Sequence, residues 1–192
     1  MKMKGLAIEI RESTVHRFHN NRRATDVKGR AFPSLVLVVV AMAFGGCAVR
    51  AVKTTEAGDP RAGNKVLIAT QRSEFKEAVV TRIVEGLKGD LCYVKVIDLK
   101  ALKDEPATEY DAVVVVNTCK AWSMTRGASR FVKNFEDKEK VVLLTTAGGG
   151  DWMPKSAGVD AITSASKSQK VDPLADEIVG KVRKILSPDD AE

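Results

Sequence analysis

The stretch DAVVVVN, from Asp111 to Asn117, contains four consecutive valines. β-Branched residues favour strands, and an apolar run without alternating polar residues predicts a strand that is buried on both faces. Strands of this kind lie at the centre of parallel sheets, because helices cover both faces of such sheets. The stretch therefore predicts the central strand of a layered α/β domain.

Four further short apolar runs lie on either side of this stretch. They predict strands at KVLIAT (65–70), YVKVIDL (93–99), KVVLLTT (140–146) and from Val159 to Thr163. Apolar residues at helical spacing predict amphipathic helices from Phe75 to Leu87, Arg126 to Phe135 and Pro173 to Leu186. Strands that alternate with helices predict an α/β fold with a five-stranded, parallel, doubly wound sheet over residues 65–187.

The connection between the fourth and fifth predicted strands is short. It contains Pro154 and three consecutive glycines, Gly148 to Gly150. A parallel crossover usually needs about a dozen residues or more, including its helix. The sequence therefore predicts that the fourth helix is short or absent.

Another apolar run lies near the amino terminus, in LVLVVVAMAFGGC (35–47). Its ten apolar residues, Leu35 to Phe44, are too few to span a bilayer, which takes about 20 residues. They suit the apolar core of a secretory signal, since basic residues precede them and Gly45 and Gly46 follow. Residues 1–46 are therefore interpreted as a basic leader with a signal peptide. A buried core strand and a poor membrane anchor are the alternatives.

The cysteine at the end of this run resembles the lipobox cysteine of bacterial lipoproteins. The resemblance implies that Cys47 carries a lipid anchor and becomes the first residue of the exported protein. Ala48, rather than Asp, follows it, which implies sorting to the outer membrane rather than the inner one. The membrane is thus a predicted partner, and the domain is expected to face the periplasm.

Cleavage before Cys47 changes the composition of the working protein. The leader carries eight of the 31 Lys and Arg residues and three of the 25 Asp and Glu residues, which leaves a net charge of about +1. Both histidines, His16 and His19, are also in the leader. The remaining chain therefore lacks histidine for triad catalysis and for the commonest zinc sites. Its charge does not indicate nucleic-acid binding.

The segments that flank the domain have their own composition. Residues 47–64 contain Gly, Pro, Thr and charged residues without periodicity, which predicts a flexible tether. Residues 188–192 are a short tail. Cys92 and Cys119 lack the CxxC spacing, so either they form one disulfide or both are small buried residues.

Ligands of open parallel sheets bind beyond the carboxyl ends of the strands, where the strand order reverses. This rule selects the loops 70–74, 117–124 and 146–152. They offer polar groups beside a helix amino terminus for an anion, tryptophans for a flat ring and glycines for close backbone approach. The candidate cofactor-binding residues are Thr70, Gln71, Arg72, Ser73, Asn117, Thr118, Trp122, Thr146, Gly148, Gly149 and Trp152. No residue is predicted to be catalytic or to bind a metal.

With these loops, the chain resembles the flavodoxin family over roughly residues 65–187. The stretch NTCKAWSMTRGASRFVKN (117–134) is also similar to the same region of menaquinone-dependent protoporphyrinogen oxidases. The resemblance implies a flavodoxin-like strand order 2-1-3-4-5 and FMN as the cofactor. It also implies that Thr70 to Ser73 form the phosphate loop and that Trp122 and Trp152 flank the flavin.

The phosphate loop departs from the family pattern. Ser73, Glu74 and Phe75 stand where the family usually has a Gly-Asn-Thr turn. A carboxylate and a phenyl ring at this place oppose a phosphate group. This departure favours the alternative that the fold is kept without a cofactor.

The stretch VDAITSASKS (159–168) resembles the flavinylation motif of extracytoplasmic FMN-carrier domains. The resemblance implies that FMN is esterified to Ser166, with Asp160 as the leading acid. The alternative is a strand that runs into a serine-rich loop before the last helix.

Two functions are consistent with these observations. The first is a membrane-tethered, flavodoxin-like protein that binds FMN and transfers electrons near the membrane, with a redox protein or a quinone as partner. A flavin carries the redox chemistry itself, so no histidine is needed. The alternative is a cofactor-less binding or assembly module of the cell envelope. A hydrolase lacks a nucleophile–base pair.

Overall fold

The computed structural model describes residues 51–150, 152–154 and 158–187. They form one sheet and three α-helices. The strands are β1 (Thr55–Ala57), β2 (Asn64–Thr70), β3 (Cys92–Asp98), β4 (Ala112–Thr118), β5 (Val141–Thr146) and β6 (Asp160–Ser164). The helices are α1 (Glu74–Leu87), α2 (Arg126–Asn134) and α3 (Val171–Leu186). The predicted signal peptide, the predicted lipid site Cys47 and the tail 188–192 lie outside the described residues.

The strand order identifies the fold. The order across the sheet is β1-β3-β2-β4-β5-β6, and β2 to β6 are all parallel. Counted over the five parallel strands alone, this order is 2-1-3-4-5. The predicted flavodoxin-like α/β fold is therefore confirmed. The order reverses between β2 and β4, because the chain leaves β2 for β3 on one side and returns to β4 on the other.

Successive residues of β2 point into two apolar cores. Val66 and Ile68 belong to the core that α1 and α3 cover, whereas Leu67 and Ala69 belong to the core that α2 covers. All four residues are fully buried. The four valines of β4 divide between the same two cores, as expected for a central strand that is covered on both faces.

The sheet has six strands, so the prediction of five is wrong by one. The additional strand, β1, pairs antiparallel with β3. It lies within the segment predicted as a flexible tether, and that prediction is wrong for these residues. Before β1, the backbone N–H of Val52 donates to the Asp98 carboxylate at 2.8 Å. The chain is therefore fixed to the domain from Val52 onward.

The connections between strands agree with the sequence pattern. A single 3-10 turn, Ala101–Lys103, follows β3. The described residues between β5 and β6 (147–150, 152–154 and 158–159) contain no helix.

Cys92 is buried, Cys119 is half-buried, and both are free thiols. Within the described residues, none of the helices has the length and apolar character needed to cross a membrane.

Gly58 is required for the turn that leaves β1. Its φ is +85°, and a Cβ at this position would overlap the backbone carbonyl oxygen of Cys92. We expect Gly58→Ala to lower the free energy of unfolding by about 1–3 kcal/mol, since both strain and a backbone clash oppose it. Urea unfolding measures the change. Gly63→Ala is the matched control, because its Cβ meets no atom within 4 Å; equal losses in the two variants would contradict the assignment.

Candidate functional site

A cleft of about 470 Å³ opens at the carboxyl end of the sheet, where the strand order reverses between β2 and β4. Clefts of a few hundred cubic ångströms at this point of an open α/β sheet are the usual place for a ligand. Four segments provide its polar lining: the loop after β2, the start of α1, the end of β3 with the residues that follow it, and the loop after β4. The polar residues that decide its chemistry are Gln71, Ser73, Lys76, Thr118, Lys120 and Thr125.

Lys76 is the central cation of this cleft. It lies in the first turn of α1, and only 3% of the residue is exposed. Its ammonium donates a hydrogen bond to the Thr118 hydroxyl at the end of β4. None of the ion pairs within the described residues includes it. Burial, and secondly the charge of Lys120, lower the pKa of Lys76 to about 8.

The first turn of α1 presents its polar side to the cleft. Ser73 caps the helix, and its Oγ accepts the backbone N–H of Lys76 at 3.2 Å. The first N–H groups of a helix have no carbonyl partner within it and attract anions. Glu74 is exposed and Phe75 packs against the core under α1, and neither lines the cleft. The expected conflict between these two side chains and a phosphate is therefore removed.

Two buried polar atoms of the cleft have no hydrogen-bond partner among the described residues. They are Oε1 of Gln71 and Oγ1 of Thr125. Buried polar atoms are nearly always hydrogen-bonded in folded proteins. A ligand with hydroxyl and phosphoryl groups would satisfy both, because an amide oxygen accepts and a hydroxyl donates.

Asn117 fixes the loop that follows β4. It is fully buried; its Nδ2 donates to Thr145 Oγ1 at 2.9 Å, and its Oδ1 accepts the Thr125 N–H at 3.3 Å. Thr146 adds a bond from its hydroxyl to the Asn117 carbonyl at 3.2 Å. These contacts assign Asn117 and Thr146 to holding the loop, whereas Thr118 and Thr125 face the cleft.

The charge of the cleft is predominantly positive. Lys76, Lys100, Lys120 and Arg72 line it together with one carboxylate, Asp98. Asp98 accepts the backbone N–H groups of Val52 and Lys100. Arg72 forms an exposed ion pair with Glu77 at 3.4 Å. The surplus of cations favours an anionic ligand.

The structure brings together only part of the predicted site. Gln71, Arg72, Ser73 and Thr118 line the cleft, whereas Thr70 is buried beside it. Six other candidate positions lie outside its lining: Trp122, Trp152, Gly148, Gly149, Thr146 and Asn117. Trp122 is 82% exposed and Trp152 is half-buried. Their assignment as walls for a flavin stays a prediction.

The flavinylation candidate lies at another edge of the sheet. Ser166 is exposed, two residues beyond the end of β6. Asp160 begins β6 and pairs with Lys181 at 2.8 Å. Esterification of Ser166 stays a prediction, which mass spectrometry of the 164–170 peptide would test.

Comparisons with known proteins show similarity in fold alone. Neither a protein-family model nor a curated protein matches the chain. Among solved structures, it is similar to a flavodoxin from the domain Archaea, with a TM-score of 0.49 and 13% identity over 64% of this chain and 99% of that one. It is also similar to the flavodiiron core of Synechocystis sp. PCC6803, with a TM-score of 0.46 and 10% identity over 68% of this chain.

A third similar structure is the flavoenzyme NAD(P)H:(acceptor) oxidoreductase of Paracoccus denitrificans, with a TM-score of 0.42 and 9% identity over 65% of this chain and 98% of that one. The chain spans 38% of the flavodiiron core. At these identities the likeness is one of fold. The site must therefore be argued from its own residues.

The sequence predictions missed the most important residue of the cleft. Lys76 was part of a predicted amphipathic helix and was not considered as a ligand. A signal was present, because Lys76 precedes Val80, Ile83 and Leu87 at helical spacing. All three are buried, so a lysine in the same row lies on the inward face of α1.

Proposed function

We propose that this protein is a flavodoxin-like electron carrier that binds FMN and is held at a bacterial membrane by a lipid on Cys47. The chain would be exported, with the domain facing the periplasm and the outer membrane as the preferred location. A redox protein or a quinone is the proposed electron partner. The observation that carries the proposal is the buried Lys76 at the first turn of α1, which forms no ion pair with another described residue.

The residues of the cleft fit the phosphate end of FMN. Lys76 and the capped first turn of α1 would hold the phosphate, because both present N–H groups to the same space. Lys120 would neutralise part of its charge, and the Thr118 hydroxyl would help to orient it, since both line the same cleft. The unsatisfied atoms of Gln71 and Thr125 suit the polyol chain. When bound, FMN supplies the one- and two-electron redox chemistry.

One observation favours the alternative of a cofactor-less binding or assembly module. Among the described residues, the cleft lining contains no aromatic side chain, and neither Trp122 nor Trp152 is part of it. Without a flat apolar wall the ring of FMN gains little stacking energy. A module of this kind would use the same cations for a different anionic ligand.

Equilibrium binding of FMN and riboflavin to the detergent-extracted full chain separates the two functions. Riboflavin has the same ring and polyol as FMN but lacks the phosphate. If the proposal holds, FMN binds with quenched flavin fluorescence, and riboflavin binds about 100-fold more weakly, since it cannot use the charge-assisted bonds of Lys76. A protein that binds neither flavin, with inorganic phosphate still protecting Lys76 from acylation, would support the alternative.

The lipid anchor has a separate test. Radiolabelled palmitate should be incorporated into the wild-type chain, and the labelled protein should be found in the membrane fraction. Cys47→Ser should lose the label and accumulate with its leader uncleaved. Cys92→Ser is the control, because that thiol lies within β3. A label that persists in Cys47→Ser would overturn the anchor.

A further inference from the structure

We propose that the domain docks on an anionic phospholipid surface through a row of three basic residues on α2, so that the cleft lies beside the bilayer. This row, the basic strip, consists of Arg126, Arg130 and Lys133. The inference rests on the lipid anchor of the proposed function and adds to it an orientation and a lipid specificity.

The basic strip is a continuous row of positive charge. Its members are spaced four and three residues apart, so they lie on one face of α2. All three are exposed, and α2 contains no acidic residue. None of the ion pairs in the described ranges involves them. Basic groups on such a face attract the anionic headgroups of a membrane.

An exposed tryptophan lies next to the basic strip. Lys120 and Ser123 form a tight backbone pair at 2.8 and 3.1 Å, and Ala121 and Trp122 connect them. Both connecting residues have positive φ, +47° and +60°. Such a turn normally takes Asn and Gly, so two side chains here cost stability. Trp122 is nevertheless held 82% exposed.

The turn from Lys120 to Ser123, which carries Trp122, and the basic strip form one surface. Ser123 and Met124 share a shallow depression with Arg126, Arg130 and Lys133. A tryptophan ring beside Arg and Lys is typical of protein surfaces at the membrane interface, because the ring suits the boundary between headgroups and acyl chains. An acidic protein would be attracted by the charges alone and gives no reason for the exposed ring.

The point at which the chain enters the domain lies on the same side. Ala51 lines the cleft together with Lys120 and Gly127, and Gly127 is the second residue of α2. Val52 is fixed by its bond to Asp98. Cys47 is five residues before Val52, and five extended residues span at most about 18 Å. A lipid on Cys47 therefore keeps this side of the domain close to the headgroups, where the strip acts at high effective concentration.

Fluorescence quenching by brominated lipids tests the docking. The lipidated full chain with Trp152→Phe has Trp122 as its single tryptophan. It is reconstituted in phosphatidylcholine vesicles with or without phosphatidylglycerol, with bromine on the acyl chains. We expect Trp122 to be quenched only in the phosphatidylglycerol vesicles. High salt should reverse the quenching while the protein still floats with the vesicles, because screening removes the attraction but not the anchor.

Neutral variants of the basic strip provide the second arm. The triple variant R126Q/R130Q/K133Q should lower the ratio of docked to undocked protein about 100-fold, or roughly fivefold for each residue. The matched control is K88Q/K170Q/K184Q. It removes the same charge from exposed positions at the ends of α1 and α3, which pack on the other face of the sheet.

Each outcome decides one claim. Flotation with salt-sensitive quenching that only the strip variant loses supports docking. Flotation without quenching, or equal loss in the two triple variants, overturns docking and leaves the anchor intact. Strip-dependent binding of an acidic protein without quenching assigns the surface to that partner instead. Failure of the wild-type chain to float overturns the anchor, and the docking with it.

Discussion

Lys76→Met is expected to weaken FMN binding about 100-fold and, at pH 7, to stabilise the ligand-free fold. A hydrogen bond to a charged group contributes about 1.5–3 kcal/mol, and each 1.4 kcal/mol is a factor of ten in affinity. Methionine has a similar length but no charge, so it fills the space between α1 and Thr118 without binding an anion. Removal of a buried charge that forms no ion pair within the described part of the chain lowers the cost of burial.

The gain in stability should depend on pH in a defined direction. The pKa of Lys76 falls from an ordinary value of 10.5 to about 8 because the folded protein buries it. Below pH 8 both the folded and the unfolded states carry the charge, so the folded state bears the whole cost. Between pH 8 and 10.5 the unfolded chain binds more protons, and the stability of the wild type rises with pH. The advantage of Lys76→Met should therefore shrink over this interval.

The matched control for this variant is Lys88→Met. Lys88 directly follows α1 and is exposed, so its loss should change neither FMN affinity nor the pH profile of unfolding. Binding is followed by flavin fluorescence, and stability by urea unfolding from pH 6 to pH 11. Unchanged FMN affinity in Lys76→Met would place the phosphate elsewhere. A stability difference that does not vary with pH would show that Lys76 is not a buried cation.

Asn117→Ala is expected to lower the free energy of unfolding by about 2–4 kcal/mol, because it leaves buried partners unsatisfied. The lost bonds are those to Thr145, to the Leu144 carbonyl and from the Thr125 N–H. The loop after β4 would lose its attachment to β5, and FMN affinity should fall with it. Asn134→Ala is the control at the exposed end of α2, and we expect a change within about 0.5 kcal/mol. Similar losses in both variants would contradict the role of Asn117.

Much of the fold could be predicted because burial is visible in the pattern. The valines of β4 and the inward row of α3 have no polar interruption, and the inward row of α1 has one, Lys76. Their elements were predicted to within two residues of the observed limits. The strand order was implied by the resemblance to flavodoxins, and a parallel sheet of five strands has few ways to cover both of its faces.

Strand β1 could not be predicted in this way. Its three residues, Thr55 to Ala57, are mostly exposed, so no apolar alternation marks them. Their strand conformation depends on hydrogen bonds to β3, which is a tertiary contact without a local signal. Strand propensity depends strongly on such context.

The cleft lies where the candidate loops were expected to meet, but only part of its lining consists of the candidate residues. The loops at the point of strand reversal were selected by a general rule, and Gln71, Ser73 and Thr118 lie there. Lys76 was missed because the helix from Phe75 to Leu87 was predicted from its apolar positions, which assign no role to a lysine. Asn117 was predicted to bind the cofactor. Its side chain instead forms hydrogen bonds to β5 and to the loop after β4.

The short strand β1 has a further consequence for the protein at high local density. Without it, the seven residues of β3 would form an open sheet edge with unpaired backbone groups, which invites strand pairing between molecules. β1 pairs with part of this edge. Because β1 is short and mostly polar, its own outer edge is a poor template for pairing with a strand of another molecule. Copies confined to a two-dimensional surface meet far more often than copies free in solution. If the proposed anchor on Cys47 holds copies at a membrane, the three residues of β1 would thus also limit aggregation between neighbouring copies.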